Sequence, residues 1–318
     1  MRFSPPGGVV SAFAIALLAA CGADDKRLPG AGGGEIATDA TAEAVARAMR
    51  TGLRCPPPAD TMARRGEAVD DLLGVRPGMP LTQAATIVLC SNPLLVAEYD
   101  STRNRFGIDR RGATIREGVE IRPARARETR TPEQVMRSMR LSRYADGDDD
   151  GIQPGESVWS ISAIGLPGAE RVTDVVREEH YAPGAQPTAE MVATSLLEKY
   201  GKHATADENA TSFSVRWIWD IAGHPVSPGT REFNDCWISG ARSSDVNFRS
   251  QCGTAVAVWA RRAPDNPLLV QELHVRVLDH SRSYQRIAAT ETALRTAASE
   301  RQAEEAKAAT QKGTKPVF

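Results

Sequence analysis

The stretch "TSFSVRWIWDI", residues 211–221, decides the fold class. Phe213, Val215, Trp217, Trp219 and Ile221 recur at every second position, which puts all five on one face of an extended strand. An apolar ridge of that size must be covered, so its neighbours have to supply more sheet and a layer of helix.

Working outward, "ESVWSISAIGLPG" (156–168) alternates with Trp159, Ile161 and Ala163 on one face, and "ERVTDVVREEHY" (170–181) reads as its partner across a Leu166-Pro167-Gly168 turn. Pro187-Thr188 then opens a helix over "TAEMVATSLLEKYG", with Val192, Leu196 and Tyr200 on one side and Gly201 as its stop. Further strands are expected at Cys236–Ser239, Thr254–Ala260 and Leu268–Val277. From Ser281 the pattern is helical, with Tyr284, Ile287 and Leu294 as apolar positions and only alanine and charge after Ala298. Strand, strand, helix and more strands with hairpin-sized breaks define an α+β chain: antiparallel sheet with helices on one side.

The first half is more broken. Helices are expected over "TAEAVARAM" (41–49) and "TMARRGEAVDDLL" (61–73), separated by Cys55 and the Pro56-Pro57-Pro58 run, which cannot lie inside a helix. In "GVRPGMPLTQAATIVLCSNPLLVAEYD" (74–100), Pro80 suits a first helical turn and Leu81, Ala84, Ala85 and Val88 share a face. Asn92-Pro93 then stops the helix ahead of a strand-like Leu94–Tyr99. On Gly78, Met79 and Pro93 this helix-strand segment resembles the SmpA/OmlA family of outer-membrane-assembly lipoproteins, departing from its pattern at Pro80 and Ser91. The resemblance covers about thirty residues and implies an architecture.

Two α+β units are therefore expected, over residues 38–143 and 157–281, joined by an acidic loop at 144–156 and followed by a helix and tail at 282–318.

Ahead of them, "AFAIALLAACGADD" (12–25) ends a short apolar run at a cysteine. From Val9 to Ala20 the run is twelve residues, or about 18 Å as a helix against a hydrocarbon layer of about 30 Å, so it is too short to span. The adjoining residues, "GADDKRLPGAGGGE" (22–35), are rich in glycine and charge and have nothing to pack on a core. Arg2, an apolar centre and small residues at its end have the order of an export signal. Leu18-Ala19-Ala20-Cys21 resembles the lipobox of bacterial lipoproteins. That resemblance implies a signal peptide over 1–20, diacylglyceryl and N-acyl chains on Cys21, and a flexible tether over 21–37. More than one acyl chain is what stable anchoring requires. Gly22 rather than Asp after the cysteine implies the outer membrane, with the folded part facing the periplasm.

Four cysteines remain, Cys55, Cys90, Cys236 and Cys252, with no C-x-x-C pair to suggest zinc. In an exported chain disulfides are the default. Sequence proximity favours Cys55 with Cys90 and Cys236 with Cys252 among the three connectivities that four cysteines allow.

A net charge of -1 and a pI near 6.6 give no global attraction to nucleic acid, which is not expected as a partner. All but six of the 39 basic residues are arginines. Twelve arginines against five acids between Ser101 and Arg143 make a local basic field that could meet lipid headgroups, phosphates or an acidic protein.

Asp146, Asp148 and Asp150, with Gly151, occupy positions 1, 3, 5 and 6 of a calcium-loop pattern, but Ser157 stands at the closing position 12, one residue after Glu156. The stretch reads either as an unconventional calcium loop or as a solvated acidic connection. His180, His203, His224, His274 and His280 never form H-x-H or H-E-x-x-H, and no G-x-S-x-G or phosphate loop is present. His274 and His280 fall opposite Leu273, Val275 and Val277 and are expected at the surface. No metal, cofactor or catalytic constellation is expected. The reading is a non-catalytic, lipid-anchored protein with membrane lipid and an envelope protein as partners. Tandem helix-plus-sheet units with one disulfide each also resemble secreted β-lactamase-inhibitor proteins, which implies an inhibitor as the alternative, ahead of a hydrolase with an unrecognised site.

Overall fold

The computed structural model describes residues 40–55, 70–98, 118–126, 152–238 and 247–312. Over them the chain is α+β, built on one eight-stranded antiparallel sheet. In chain order its elements are α1 (Ala42–Met49), α2 (Leu81–Ser91), β1 (Leu95–Glu98), β2 (Gly118–Pro123), β3 (Ser157–Ile164) and β4 (Arg171–His180). Next come α3 (Ala189–Tyr200), β5 (Thr205–Glu208), β6 (Ser212–Ile218), α4 (Arg231–Asp235), β7 (Thr254–Ala263), β8 (Asn266–Asp279) and α5 (His280–Lys312).

The strand order β1-β2-β3-β4-β8-β7-β6-β5 has a simple meaning: two four-strand meanders, each preceded by helix, are joined through their last strands. β3 and β4 continue the meander begun by β1 and β2, so the connection at residues 144–156 falls inside the first meander. The join is antiparallel, running from Asp174 opposite Leu278 to His180 opposite Glu272, with Glu179 opposite Leu273.

One face of the sheet carries the main core. Trp159, Ile161, Val175, Val277, Val256, Val258, Val215 and Trp217 project from it and are buried, beneath Ala84, Ala85 and Val88 of α2 and Val192, Leu196 and Tyr200 of α3. These helical positions are the ones the periodicity assigned. Trp217 is closed off completely: its indole Nε1 donates to the Gly201 carbonyl at 2.8 Å and its ring lies 5.3 Å from that of Tyr200. The Tyr200 hydroxyl donates to the Asp71 carbonyl at 3.2 Å, tying α3 to the segment before α2.

Pro80 leaves α2 without a side-chain N-cap, whereas Thr41 and Thr188 cap α1 and α3. The other end of α2 is capped from a distance. Arg50 Nη1 donates to the carbonyls of Leu89, Asn92 and Leu95 at 2.6, 3.1 and 2.9 Å, satisfying Leu89 in the last turn of α2 and tying it to the start of β1.

Helices on one side describes α2 and α3, but a second, smaller core lies on the opposite face. There Ile218, Ala255, Ala257 and Leu278 pack with Phe233 of α4 and the Cys236–Cys252 bridge. α5 continues directly from β8 and packs against β7, β4 and β3. Its buried positions are His280, Ser283, Thr290, Leu294 and Ala298, while Tyr284, expected inside, is exposed. A helix that packs on a β-surface through small and hydroxylic residues escapes an apolar count.

Other local differences arise from turn chemistry. β6 stops at Ile218, and Ile221 is 68% exposed, because the Asp220 carboxylate accepts from the backbone N–H of Ala222 and His224, both at 2.8 Å, and turns the chain. The strand expected from Cys236 is not formed over Cys236–Ile238, since Cys236 is the C-cap of α4. The end of the helix expected over 61–73 is a tight Leu72–Val75 bridge with Leu73 at φ 51°, fastened by Asp71 accepting from Gly74 N–H at 2.9 Å; residues 61–69 lie outside the described residues. β2 and β5 had no counterpart in the sequence reading.

Candidate functional site

The join between the meanders sets its own side chains in register. Glu178 pairs with His274 and His180 with Glu272 across β4 and β8, and all four point to the face opposite the main core. The sequence contains Glu-x-His twice, at 178–180 and 272–274, and the local twofold of an antiparallel pair centred on Glu179 and Leu273 superposes one on the other. The result is a two-by-two array of glutamate and histidine.

Both imidazoles converge on one carboxylate oxygen. Glu178 Oε1 lies 3.0 Å from His180 Nε2 and 3.3 Å from His274 Nε2, and His180 Nε2 lies 3.9 Å from Glu272 Oε1. Glu178, His180 and His274 thus place one ligand atom each within 4.8 Å of one another. The His274 side chain is 1% exposed, whereas His180 and Glu178 retain 21% and 29%, so one edge of the array is open to solvent.

The surroundings hold these groups in place. His274 meets the ring of Trp259, its cross-strand neighbour on β7, edge-on at 5.1 Å. Arg261, opposite Glu272 on the same strand, pairs with the Glu272 carboxylate. Glu156 approaches His180 from the connection into β3. Burial pushes the Glu156 carboxyl upward, but its hydrogen bond from Arg125, the Gln153 N–H at 2.8 Å and the nearby charges of Arg125 and His180 together hold it below the ordinary carboxylate range.

His280 stands apart, at the start of α5, where its Nε2 meets the Cys236 carbonyl at 3.2 Å. Both His274 and His280 are buried, against the expectation of surface histidines. The face assigned to His274 is right; what strand alternation could not tell is that this face is covered as well.

Of the residues singled out from the sequence, the four cysteines form the two bridges favoured by proximity, Cys55–Cys90 and Cys236–Cys252, each with Cα atoms 5.5 Å apart. The first ties the chain after α1 to α2; the second ties the end of α4 to the start of β7. Cys21 and the Asp146, Asp148, Asp150 loop lie outside the described residues, as does most of the arginine-rich stretch.

Two open grooves complete the picture among the described residues. One, of about 450 Å³, is lined by Asp207, Arg216, Phe233 and Trp237, with the Arg216 guanidinium 5.2 Å above the half-exposed Trp237 ring. The other, of about 420 Å³, is lined by Asp70, Arg76, Asp220, Asp279 and Arg282; burial raises the Asp70 carboxyl despite Arg76 at 3.7 Å.

No protein-family model, curated protein or solved structure matches this chain.

Proposed function

We propose that this chain is a lipid-anchored envelope protein, facing the periplasm from the outer membrane, which acts as a non-catalytic accessory by binding a protein partner. The observation that carries the reading is the pair of disulfides, one in each half of the chain, in a body that follows a lipobox-like Leu18-Ala19-Ala20-Cys21. Bridges of this kind persist in oxidising compartments. Among the described residues no helix is long and apolar enough to cross a membrane. In this reading, acyl chains on Cys21 supply the attachment.

The inhibitor reading keeps a specific support: two consecutive helix-plus-meander units, each with its own disulfide, share one sheet. In that case the partner is a periplasmic enzyme.

Radiolabelled palmitate separates anchored from unanchored chains. Incorporation into the wild type, its loss in Cys21→Ala, and a mature amino terminus at Cys21 are the expected results; an unlabelled protein with a different amino terminus overturns the anchor. Affinity capture from detergent-solubilised membranes then distinguishes the partner classes: stoichiometric assembly proteins favour the accessory role, and a captured hydrolase that loses activity favours the inhibitor.

A further inference from the structure

We propose that Glu178, His180 and His274 form a binding site for a divalent transition metal of the zinc class, located on the twofold join of the two meanders. The proposal stands on the array itself and is independent of the lipid anchor.

Three arguments converge. The first is donor chemistry: two imidazole nitrogens and one carboxylate oxygen are the set that zinc and its neighbours take, whereas calcium and magnesium require a shell of oxygens. The second is span. A metal about 2.0–2.2 Å from each of three donors in tetrahedral disposition holds those donors about 3.2–3.6 Å apart. Of the separations from Glu178 Oε1 to the two ring nitrogens, 3.3 Å to His274 falls in that range and 3.0 Å to His180 just below it, so side-chain adjustment alone reaches the spacing.

The third is support. A histidine ligand needs its ring orientation fixed, and a site needs outer partners for its first ligands. Trp259 holds His274 edge-on, and the cross-strand register fixes the Cα positions of all four residues before any side chain moves. Glu272 Oε1, 3.9 Å from the same His180 Nε2 and paired with Arg261, adds a carboxylate charge beside the site. Three protein ligands leave a further position open on the exposed side of Glu178 and His180, where water or a donor from a bound partner can complete the coordination.

The test is a Zn2+ titration of the tag-free full-length protein in detergent, followed calorimetrically, with Co2+ absorption reporting coordination and Ca2+ as the competing hard cation. One saturable Zn2+ per chain that Ca2+ does not displace is expected, with a Co2+ spectrum of tetrahedral or five-coordinate intensity. Glu178→Gln and His180→Ala each weaken Zn2+ binding about 100-fold or more, and Glu272→Gln, which removes a neighbouring negative charge and no ligand, weakens it less than either. Both first-named side chains are partly exposed, so these variants fold whether or not the proposal is right; the buried His274→Gln is scored only where its near-ultraviolet circular dichroism matches the wild type. Absence of saturable Zn2+ binding, or binding that Glu178→Gln and His180→Ala leave unchanged because the ion sits elsewhere on the chain, overturns the site.

Discussion

Arg276 on β8 and Asp174 on β4 meet across the join in a two-pronged ion pair, Nε to Oδ1 at 2.9 Å and Nη2 to Oδ2 at 2.7 Å, with side chains 1% and 0% exposed. The pair lies one row from the glutamate-histidine array and on the same face, so it fastens the two strands that carry the site.

Such a pair is held by mutual dependence. Arg276→Met leaves a buried carboxylate with its principal countercharge gone and is expected to cost about 3–5 kcal/mol. A joint Arg276→Met, Asp174→Leu replacement should recover much of that loss. Urea unfolding of the single and double variants measures both values.

A joint Cys236→Ala, Cys252→Ala variant removes the disulfide that lies in the smaller core. The bridge closes a loop with a sequence separation of 16, for which the chain-entropy model gives about 3 kcal/mol. Its loss should lower the denaturation midpoint accordingly, and reducing agent should have the same effect on a chain lacking the Cys55–Cys90 bridge.

Stability should fall on mild acidification because of His280. Burial, reinforced by the charges of Arg249 and Arg276, outweighs its hydrogen bond to Cys236 and pushes this imidazole down to about 4. The unfolded chain therefore binds a proton near pH 6.5 that the folded chain refuses until about pH 4. Stability from this group is complete above pH 6.5 and declines as pH falls through that window, by roughly 3 kcal/mol in total. Unfolding followed at several pH values checks it, and His280→Gln should flatten the slope between pH 4 and 6.5.

The remote cap on α2 can be tested alone. Arg50→Met keeps much of the aliphatic stem and removes the donor shared by the Leu89, Asn92 and Leu95 carbonyls. A loss of about 2 kcal/mol is expected, in the range for hydrogen bonds to a charged group. Hydrogen exchange should show the last turn of α2 opening first.

Gly253 marks a place where two backbones nearly touch. A Cβ there would intrude on the Asp220 carbonyl and lie 2.7 Å from the Trp219 carbonyl oxygen, and neither belongs to a flexible side chain. Gly253→Ala should cost about 3 kcal/mol, at the upper end for an overpacked site, read from its thermal midpoint.

Much of this fold was legible where burial and periodicity coincide. Phe213, Val215 and Trp217 announce β6, and Val192, Leu196 and Tyr200 announce α3, because one face of each must be apolar to cover the main core. β5, with the sequence Thr-Ala-Asp-Glu, escaped because an edge strand with little buried surface needs no alternation. Ile221 misled because the apolar period ran on for one residue after the Asp220 turn had ended the strand.

The candidate site was less legible still. Glu-x-His at 178–180 and again at 272–274 is visible to inspection, yet each is an ordinary stretch of polar strand face. Only pairing of β4 with β8, rather than with some other strand, sets Glu178 against His274; a slip by one residue would turn the four side chains to opposite faces.

By itself, then, the amino-acid order determined the α+β class, the hairpin of β3 and β4 and the buried faces of α2 and α3, and it favoured one pairing of the cysteines; all of these depend on residues near one another in the chain. The tertiary structure alone decided that two meanders would share one sheet, that its second face would be covered, and that residues about a hundred positions apart would converge. The physical reason is that local periodicity encodes which face of an element is apolar, while the choice of partner strand and its register depends on how those faces pack together.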